Sequence, residues 1–234
     1  MRPRTGHPTA GGDDPVATLT GRALLLDLDG TLLDSTAAIT ASWVAVAASI
    51  GVEWEVVAPL VHGIPPRQVV RQVAPWLDDD AWARAVDQFH QGVILDGAPV
   101  LRLPGAQELV EALAGQRWAV VTSGSRELAD SSLRKSGLPR PPLMVTAEDV
   151  AVGKPDPAPY VLAAELLDVP VGECVVVEDA PAGVQAGRAA QMRVVAVTGT
   201  CAPELLAEAT VVAARLPRVR VLGTGLLELT VERA

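Results

Sequence analysis

Short apolar runs recur along the chain, and each leads into a turn-forming segment. The first, in RALLLDL (22–28), ends in an acidic loop with a glycine, which is typical of a buried strand of a parallel sheet. Similar runs lie at 118–122, 143–145, 174–178 and 193–197. Together they predict a mostly parallel sheet.

Amphipathic segments between these runs predict helices. Residues 106–113 place leucines on one face and glutamates on the other. Ser125 suits the N-cap of a helix that ends before Gly137, and prolines open two further helices at 157–167 and 181–190. Because strands and helices alternate, we expect a doubly wound α/β fold.

Residues 35–103 interrupt this alternation, since they contain no strand-like run bounded by turns. Four segments in this region have helical spacing of apolar residues, at 39–50, 54–61, 67–73 and 82–94. A structureless loop of this length would be unusual inside a compact domain. We therefore predict a helical cap domain over 35–103, inserted into an α/β core formed by 21–34 and 104–234.

The two ends of the chain differ in character. Residues 1–20 are polar, rich in glycine and proline, and lack the apolar centre of a signal peptide, so we expect a disordered tail and a cytoplasmic protein. Residues 219–231 contain two β-prone pieces around a Gly-Thr-Gly turn. They predict a hairpin added to the sheet.

Composition narrows the function classes. The 234 residues are 49% apolar and 20% charged, which excludes a disordered chain. The net charge of −9 disfavours nucleic-acid binding, and no apolar run approaches the roughly 20 residues of a membrane span. Cys174 and Cys201 are too few for a disulfide framework. We expect a monomer whose partner is a small molecule, without nucleic acid or membrane.

Two aspartates follow the first predicted strand. Asp27 and Asp29 are two positions apart, so they project together from the carboxyl end of a strand, where open α/β sheets bind ligands. Two close carboxylates indicate either a metal site or an acid beside a nucleophile. The alternative is an ordinary acidic turn, because Asp-Gly is a common turn pair.

Other strand ends carry complementary chemistry. Ser123 and Gly124 belong to a hydroxyl-rich loop that precedes a predicted helix and is suited to binding an anion. The alternative is an ordinary helix cap, which uses the same residue types. Lys154, one of only two lysines, and the pair Glu178 and Asp179 follow later, although each could be solvated. If these groups converge, they predict a phosphate site beside Mg²⁺, which prefers oxygen ligands.

Four motifs carry a family resemblance. DLDGT (27–31), VVTSGS (120–125), GKPDP (153–157) and VVVEDAPAG (175–183) resemble, in order and spacing, the haloacid dehalogenase superfamily. The resemblance runs from about residue 22 to about residue 200 and includes a helical cap. The sequence around the motifs is similar to that of small sugar-phosphate and glycerol-phosphate phosphatases of that superfamily.

The resemblance implies a role for each motif residue. Asp27 corresponds to a nucleophile that becomes an aspartyl phosphate, and Asp29 to the general acid and base. Ser123 and Gly124 correspond to groups that hold phosphoryl oxygens, and Lys154 to a cation that neutralises the phosphoryl and nucleophile charges.

The resemblance also implies a magnesium site. Asp27, the backbone carbonyl of Asp29 and Asp179 correspond to Mg²⁺ ligands. Glu178 corresponds to a further ligand or to a partner of one, and Thr31 to a residue that orders the loop.

Within this superfamily, phosphomonoester hydrolysis on a small sugar or polyol phosphate fits best. Dehalogenases generally lack the aspartate found here as Asp29, and Schiff-base phosphonate cleavage needs a cap lysine, which residues 35–103 lack. A β-phosphoglucomutase-like transfer stays open, although Ile39 stands where those mutases carry a histidine. A catalytically inactive binding protein is a further alternative.

In the predicted cap, His62 and Arg67 are candidates to contact the non-reacting end of the substrate. His62 could instead be a cation at a helix end, and Arg67 could belong with Arg71 to a solvated helix face.

Overall fold

The structure is a computed structural model that describes residues 15–61, 64–95 and 99–234. The strands are β1 (Val16–Gly21), β2 (Ala23–Leu26), β3 (Leu33–Asp34), β4 (Leu101–Arg102), β5 (Trp118–Val121), β6 (Met144–Val145), β7 (Cys174–Glu178), β8 (Arg193–Val197), β9 (Val211–Ala213), β10 (Arg218–Leu222) and β11 (Leu226–Glu232). The helices are α1 (Thr36–Ile50), α2 (Trp54–Val57), α3 (Pro66–Val73), α4 (Asp79–Leu95), α5 (Ala106–Ala112), α6 (Arg126–Ser136), α7 (Ala158–Leu166) and α8 (Pro181–Ala189).

Six parallel strands form the central sheet, in the order β6-β5-β2-β7-β8-β9. Each of the five predicted apolar runs forms one of these strands, and the short β9 was not predicted. Leu24 and Leu26 pack on one face with residues of α5 and α6, whereas Leu25 packs on the other with Tyr160 and Val184 of α7 and α8. The predicted doubly wound, mostly parallel α/β fold is confirmed.

Helix α6 illustrates how local signals set the boundaries of an element. The Ser125 hydroxyl accepts a hydrogen bond from the backbone N–H of Leu128 at 3.3 Å, which satisfies one of the free donors of the first turn. Gly137 ends the helix in the left-handed conformation that glycine adopts without strain. Both signals were read from the sequence.

The helices α1 to α4 lie in one stretch of the chain, residues 36–95, here called the helical segment. Strands β3 and β4, on either side of it, pair antiparallel with each other. Trp43 of α1 and Phe89 of α4 join the two longest helices through rings whose centroids are 4.5 Å apart. Lys135 of α6 donates a hydrogen bond to the carbonyl of Val93 at 2.8 Å, which ties α4 to the α/β core.

The prediction of a tail over residues 1–20 is wrong for residues 16–20. They belong to β1, which pairs antiparallel with β11. Ala17 and Leu19 alternate with polar residues and pack against the core. The strand was missed because this alternation is short and follows directly on a polar, glycine-rich stretch. Residues 1–14 lie outside the described residues.

The C-terminal hairpin is present as predicted, formed by β10 and β11. Its place differs from the prediction, because it joins β1 in a separate three-stranded sheet of order β1-β11-β10. Leu227, Leu229 and Val231 are buried on one face of β11, and this burial holds the small sheet against the core.

No single helix of the described residues has the length and hydropathy of a membrane span. One bent pair, α1 followed by the stretch 54–60, meets those criteria jointly, with a 119° angle between its two parts.

Candidate active site

The predicted motif residues converge at the carboxyl ends of three neighbouring strands. Because β2 lies between β5 and β7, the loops after these strands meet at one edge of the sheet. They border a cavity of about 450 Å³ between this edge and the helical segment. Residues from every motif line the cavity, namely Asp27, Asp29, Ser123, Gly124, Lys154, Glu178 and Asp179.

Two glycines allow the acidic loops to approach each other. Gly30 has a φ of +91°, and a Cβ there would collide with the carboxylate of Asp179. A Cβ at Gly183, in the first turn of α8, would collide with the carboxylate of Glu178. Any larger residue at either position must displace an acidic side chain.

Lys154 joins the loops electrostatically. Its ammonium donates hydrogen bonds to Oδ1 of Asp27 at 2.7 Å, to Oε1 of Glu178 at 2.7 Å and to the carbonyl of Val121 at 2.9 Å. Burial alone would lower the pKa of Lys154, but the charges of Asp27 and Glu178 raise it well above its ordinary value. The lysine is therefore a permanent cation at this site.

Glu178 is held rigidly by its neighbours. Its Oε1 accepts hydrogen bonds from Lys154 and from the hydroxyl of Tyr160, the latter at 3.0 Å. Its Oε2 accepts from the backbone N–H groups of Asp179 at 2.9 Å and Ala180 at 3.0 Å. With 1% of its surface exposed, Glu178 is shielded from water, and these four donors replace the hydrogen bonds that water would supply.

The carboxylates of Asp27, Glu178 and Asp179 form a buried acidic trio, with one oxygen of each within 4.8 Å of the others. Burial raises the pKa of Asp27 well above its usual range even beside Lys154, and the charges of Glu178 and Asp179 add to the shift. Burial likewise raises the pKa of Asp179 to about 7, with a further contribution from Glu178. Such mutual repulsion is what a divalent cation would relieve, and carboxylate oxygens are the ligands Mg²⁺ prefers.

Asp29 and Thr31 have separate hydrogen-bond partners. The hydroxyl of Ser35 donates to Oδ1 of Asp29 at 2.6 Å. Burial raises the pKa of Asp29, and this hydrogen bond offsets part of the shift. The Thr31 hydroxyl donates to Oδ1 of Asp179 at 3.1 Å, so Thr31 connects the loop after β2 to the loop after β7.

The loop after β5 offers groups suited to an anion. The N–H of Gly124 donates to the hydroxyl of Thr122 at 3.0 Å, which fixes the turn. Ser123 and Gly124 line the cavity immediately before the N-terminus of α6. The partial positive charge of a helix N-terminus favours an anion at this position.

The structure describes one of the two substrate residues predicted in the helical segment. His62 lies outside the described residues. Arg67 is exposed and does not line the cavity; its guanidinium lies 5.1 Å from the ring centroid of Trp82. The indole N–H of Trp82 donates to the carbonyl of Arg67 at 3.1 Å. The structure therefore gives Arg67 a packing partner on the surface of the helical segment.

Several residues at the site were not singled out from the sequence. Tyr160 and Ser35 each donate to a motif carboxylate, as described above, and Trp43 and Phe89 line the cavity although they pack in the helical segment. Tyr160 is fully buried and lies six positions after Lys154. It is the only tyrosine of the chain, and this rarity was the one feature of the sequence that could have drawn attention to it.

The comparisons with known proteins agree with the motif geometry. The model of the haloacid dehalogenase-like hydrolases matches residues 22–191. Hexitol phosphatase A of Escherichia coli is 38% identical over 205 residues, covering 86% of this chain and 94% of that protein. Glycerol-1-phosphate phosphohydrolase 2 of Saccharomyces cerevisiae is 33% identical, covering 80% of this chain and 78% of that protein.

Among solved structures, a CbbY variant of Rhodobacter sphaeroides in complex with xylulose-(1,5)bisphosphate has a TM-score of 0.74 at 23% identity, covering 83% of this chain and 94% of that one. This likeness concerns the fold. The family match covers most of the chain, and the two similar enzymes are phosphatases. The chain therefore belongs to the haloacid dehalogenase-like hydrolase family.

Proposed function

We propose that this protein is a Mg²⁺-dependent phosphomonoester hydrolase that acts on a small sugar phosphate or polyol phosphate through an aspartyl phosphate on Asp27. The observation that carries the proposal is the buried contact between Lys154 and Asp27, beside an acidic trio at one end of a cavity. The similarity to a hexitol phosphatase and a glycerol-1-phosphate phosphohydrolase supports the substrate class.

In the first step, an oxygen of Asp27 attacks phosphorus, and the bond from phosphorus to the substrate oxygen breaks. Oδ1 of Asp27 is engaged by Lys154, whereas Oδ2 makes no hydrogen bond to a described residue. Asp29 gives a proton to the leaving alkoxide, which departs as an alcohol. Lys154, with Ser123 and Gly124, offsets the charge that develops on the phosphoryl oxygens.

In the second step, Asp29 accepts a proton from water, and the water oxygen attacks phosphorus. The bond from phosphorus to the Asp27 oxygen breaks, which releases inorganic phosphate and restores the carboxylate. The Ser35 hydroxyl holds the Asp29 carboxyl in place through both proton transfers.

The acidic trio fits the proposed cation. Asp27 and Asp179 would hold Mg²⁺, with Glu178 as a ligand or as the partner that positions them. When bound, Mg²⁺ supplies positive charge that keeps Asp27 ionised and offsets charge on the phosphoryl group.

We further propose that residues 35–103 act as a cap over this site. The helical segment supplies one side of the cavity, and β3 and β4 pair beside each other where the chain enters and leaves it. A cap that excludes water from the reacting atoms would strengthen the electrostatic contacts of Lys154 and the acidic trio.

Hydrolysis is favoured over a mutase-like transfer by one cavity residue. Ile39 lines the cavity, and its side chain neither donates nor accepts a proton. A mutase has to move the phosphoryl group to a sugar hydroxyl while protecting it from water. With no proton-transferring group at Ile39, we expect water to be the acceptor.

The test combines two assays on the purified full chain. A generic aryl phosphate and a panel of hexose, pentose and glycerol phosphates should release inorganic phosphate with Mg²⁺ and none with excess EDTA. With β-glucose 1-phosphate and a bisphosphate activator, NMR should show phosphate and no sustained glucose 6-phosphate. Rapid isomerisation without phosphate release would overturn hydrolysis, and the absence of turnover with every substrate would indicate a binding protein.

A further inference from the structure

The cavity has two chemically different ends. The sheet end carries the acidic trio, Lys154 and the loop of Ser123. Among the described residues of the helical segment that line the cavity, all but Thr36 are apolar. These apolar residues include Ile39, Trp43, Val61, Ile64, Phe89 and Val93. Trp43 and Phe89 are almost fully buried, so they fix this surface from behind, and its accessible part comes from the partly buried Ile39, Val61 and Ile64.

Positive charge is scarce around this cavity. Among the described residues that line it, Lys154 is the sole cation, and its ammonium already contacts Asp27, Glu178 and the carbonyl of Val121. A second phosphate on a substrate would have to leave water for a region lined by apolar side chains. Burying an unpaired charge is strongly unfavourable.

One buried hydroxyl interrupts the apolar surface. Ser132 of α6 is 4% exposed, lines the cavity one helical turn beyond Leu128, and makes no hydrogen bond to a described residue. The hydroxyl of a serine in a helix often donates a hydrogen bond to a backbone carbonyl of the preceding turn. The Ser42 hydroxyl does so to the carbonyl of Ala38 at 2.9 Å. The Ser132 hydroxyl is therefore available to a group inside the cavity.

We propose that the cavity selects phosphomonoesters with one phosphate whose non-reacting part is uncharged, presents C–H surface to Ile39, Val61 and Ile64, and places one hydroxyl against Ser132. This inference rests on the proposed hydrolase function and adds the substrate's shape and charge. Deoxygenated sugar phosphates belong to this class, because removing a hydroxyl extends the apolar face. Ser132 acts as a specificity residue with no part in the chemical steps.

The first test compares matched substrates on the wild-type protein. We expect kcat/KM for 2-deoxyglucose 6-phosphate to equal or exceed that for glucose 6-phosphate. We expect kcat/KM for fructose 1,6-bisphosphate to be at least about tenfold below that for fructose 6-phosphate, because the described lining of the cavity offers the second phosphate no free cation. A bisphosphate that is hydrolysed as well as its monophosphate would overturn the inference, while leaving the hydrolase proposal intact. Failure of all substrates would overturn the hydrolase proposal itself.

The second test uses neighbouring serines of α6. Ser132→Ala should raise KM for the preferred substrate roughly fivefold, the loss of one hydrogen bond between neutral groups, with kcat nearly unchanged. Ser131→Ala is the matched control, because Ser131 is also 4% exposed and without a described hydrogen bond but does not line the cavity. Its KM should equal that of the wild type. If Ser132→Ala leaves KM unchanged for every hydrolysed substrate, or if both variants raise it equally, the role of Ser132 is wrong.

Discussion

Nζ of Lys154 lies 2.7 Å from Oδ1 of Asp27, although 127 positions separate the two residues. The same nitrogen contacts Glu178 at the end of β7 and the carbonyl of Val121 at the end of β5. One buried cation therefore connects the carboxyl ends of the three adjacent strands that carry the site. We therefore expect Lys154 to stabilise the fold here in addition to its proposed role in catalysis.

Replacing this lysine tests that double role. Lys154→Met leaves the buried carboxylates of Asp27 and Glu178 without a counter-charge, so we expect the free energy of unfolding to fall by about 3 kcal/mol and turnover to be lost. Urea unfolding followed by circular dichroism measures the first effect.

A second substitution serves as the control for this experiment. Glu178→Gln should destabilise the wild type but should restore part of the stability lost in Lys154→Met, because it removes one of the unpaired charges. Additive losses in the double variant would show that Lys154 and Glu178 do not interact energetically.

Tyr160→Phe tests whether Tyr160 only holds Glu178 in place or also takes part in the chemical steps. Tyr160 donates to Glu178 but does not line the cavity. We expect the variant to lose about 1.5 kcal/mol of unfolding free energy, the worth of one hydrogen bond to a charged group, and to keep most of its kcat. A variant as stable as the wild type but without turnover would place Tyr160 in the chemistry instead.

Gly183→Ala tests the close approach of α8 to Glu178. The added methyl group must push the carboxylate aside, so we expect the Mg²⁺ concentration for half-maximal activity to rise at least about tenfold. Gly187→Ala is the control in the same helix, since its Cβ would meet Val194 and no carboxylate. It should lower the melting temperature without changing the Mg²⁺ requirement. If the two variants need the same Mg²⁺ concentration for half-maximal activity, the proposed role of Glu178 at the metal site is wrong.

The acidic trio predicts a pH-dependent stability in the metal-free protein. Burial and the charge of Glu178 raise the pKa of Asp179 to about 7, whereas an unfolded chain releases this proton near pH 4, an ordinary value of about 3.9 for aspartate. Between these values the folded protein binds a proton that the unfolded chain does not, so stability falls as pH rises and levels off above about 7.

Melting curves in EDTA from pH 5 to pH 8 measure this effect, with pH limits chosen to bracket the folded pKa of about 7. Asp179→Asn should show a smaller decline than the wild type, because the amide does not titrate. Mg²⁺ should raise the wild-type melting temperature most at the higher pH values, since the cation binds the ionised carboxylates. Identical slopes for wild type and variant would contradict the assignment of the shift to Asp179.

The sequence predicted the central sheet well because its strands are buried on both faces and read as continuous apolar runs. Strand β1 was missed because an edge strand with one buried face shows only a short alternation. The motif loops were located because strand ends of a parallel sheet meet at one edge.

Side-chain partners were harder to predict, because they depend on packing between distant segments. Tyr160 reaches Glu178 across 18 positions, and no local pattern reports that contact. Arg67 was a candidate for the site, with a solvated helix face as the alternative, and only the structure shows Trp82 beside it. Trp43 and Phe89 were not identified as cavity residues, since the periodicity of apolar positions does not distinguish a core from a cavity lining.

The most direct test of the account is to identify the phosphorylated residue during turnover. The protein is mixed with Mg²⁺ and a hydrolysed phosphomonoester, quenched rapidly in acid and analysed by peptide mass spectrometry. We predict a phosphoryl group on the peptide that contains Asp27, which decays as inorganic phosphate appears, and neither signal in a folded Asp27→Asn variant. Phosphorylation of a different residue, or continued Mg²⁺-dependent turnover by Asp27→Asn, would contradict the account.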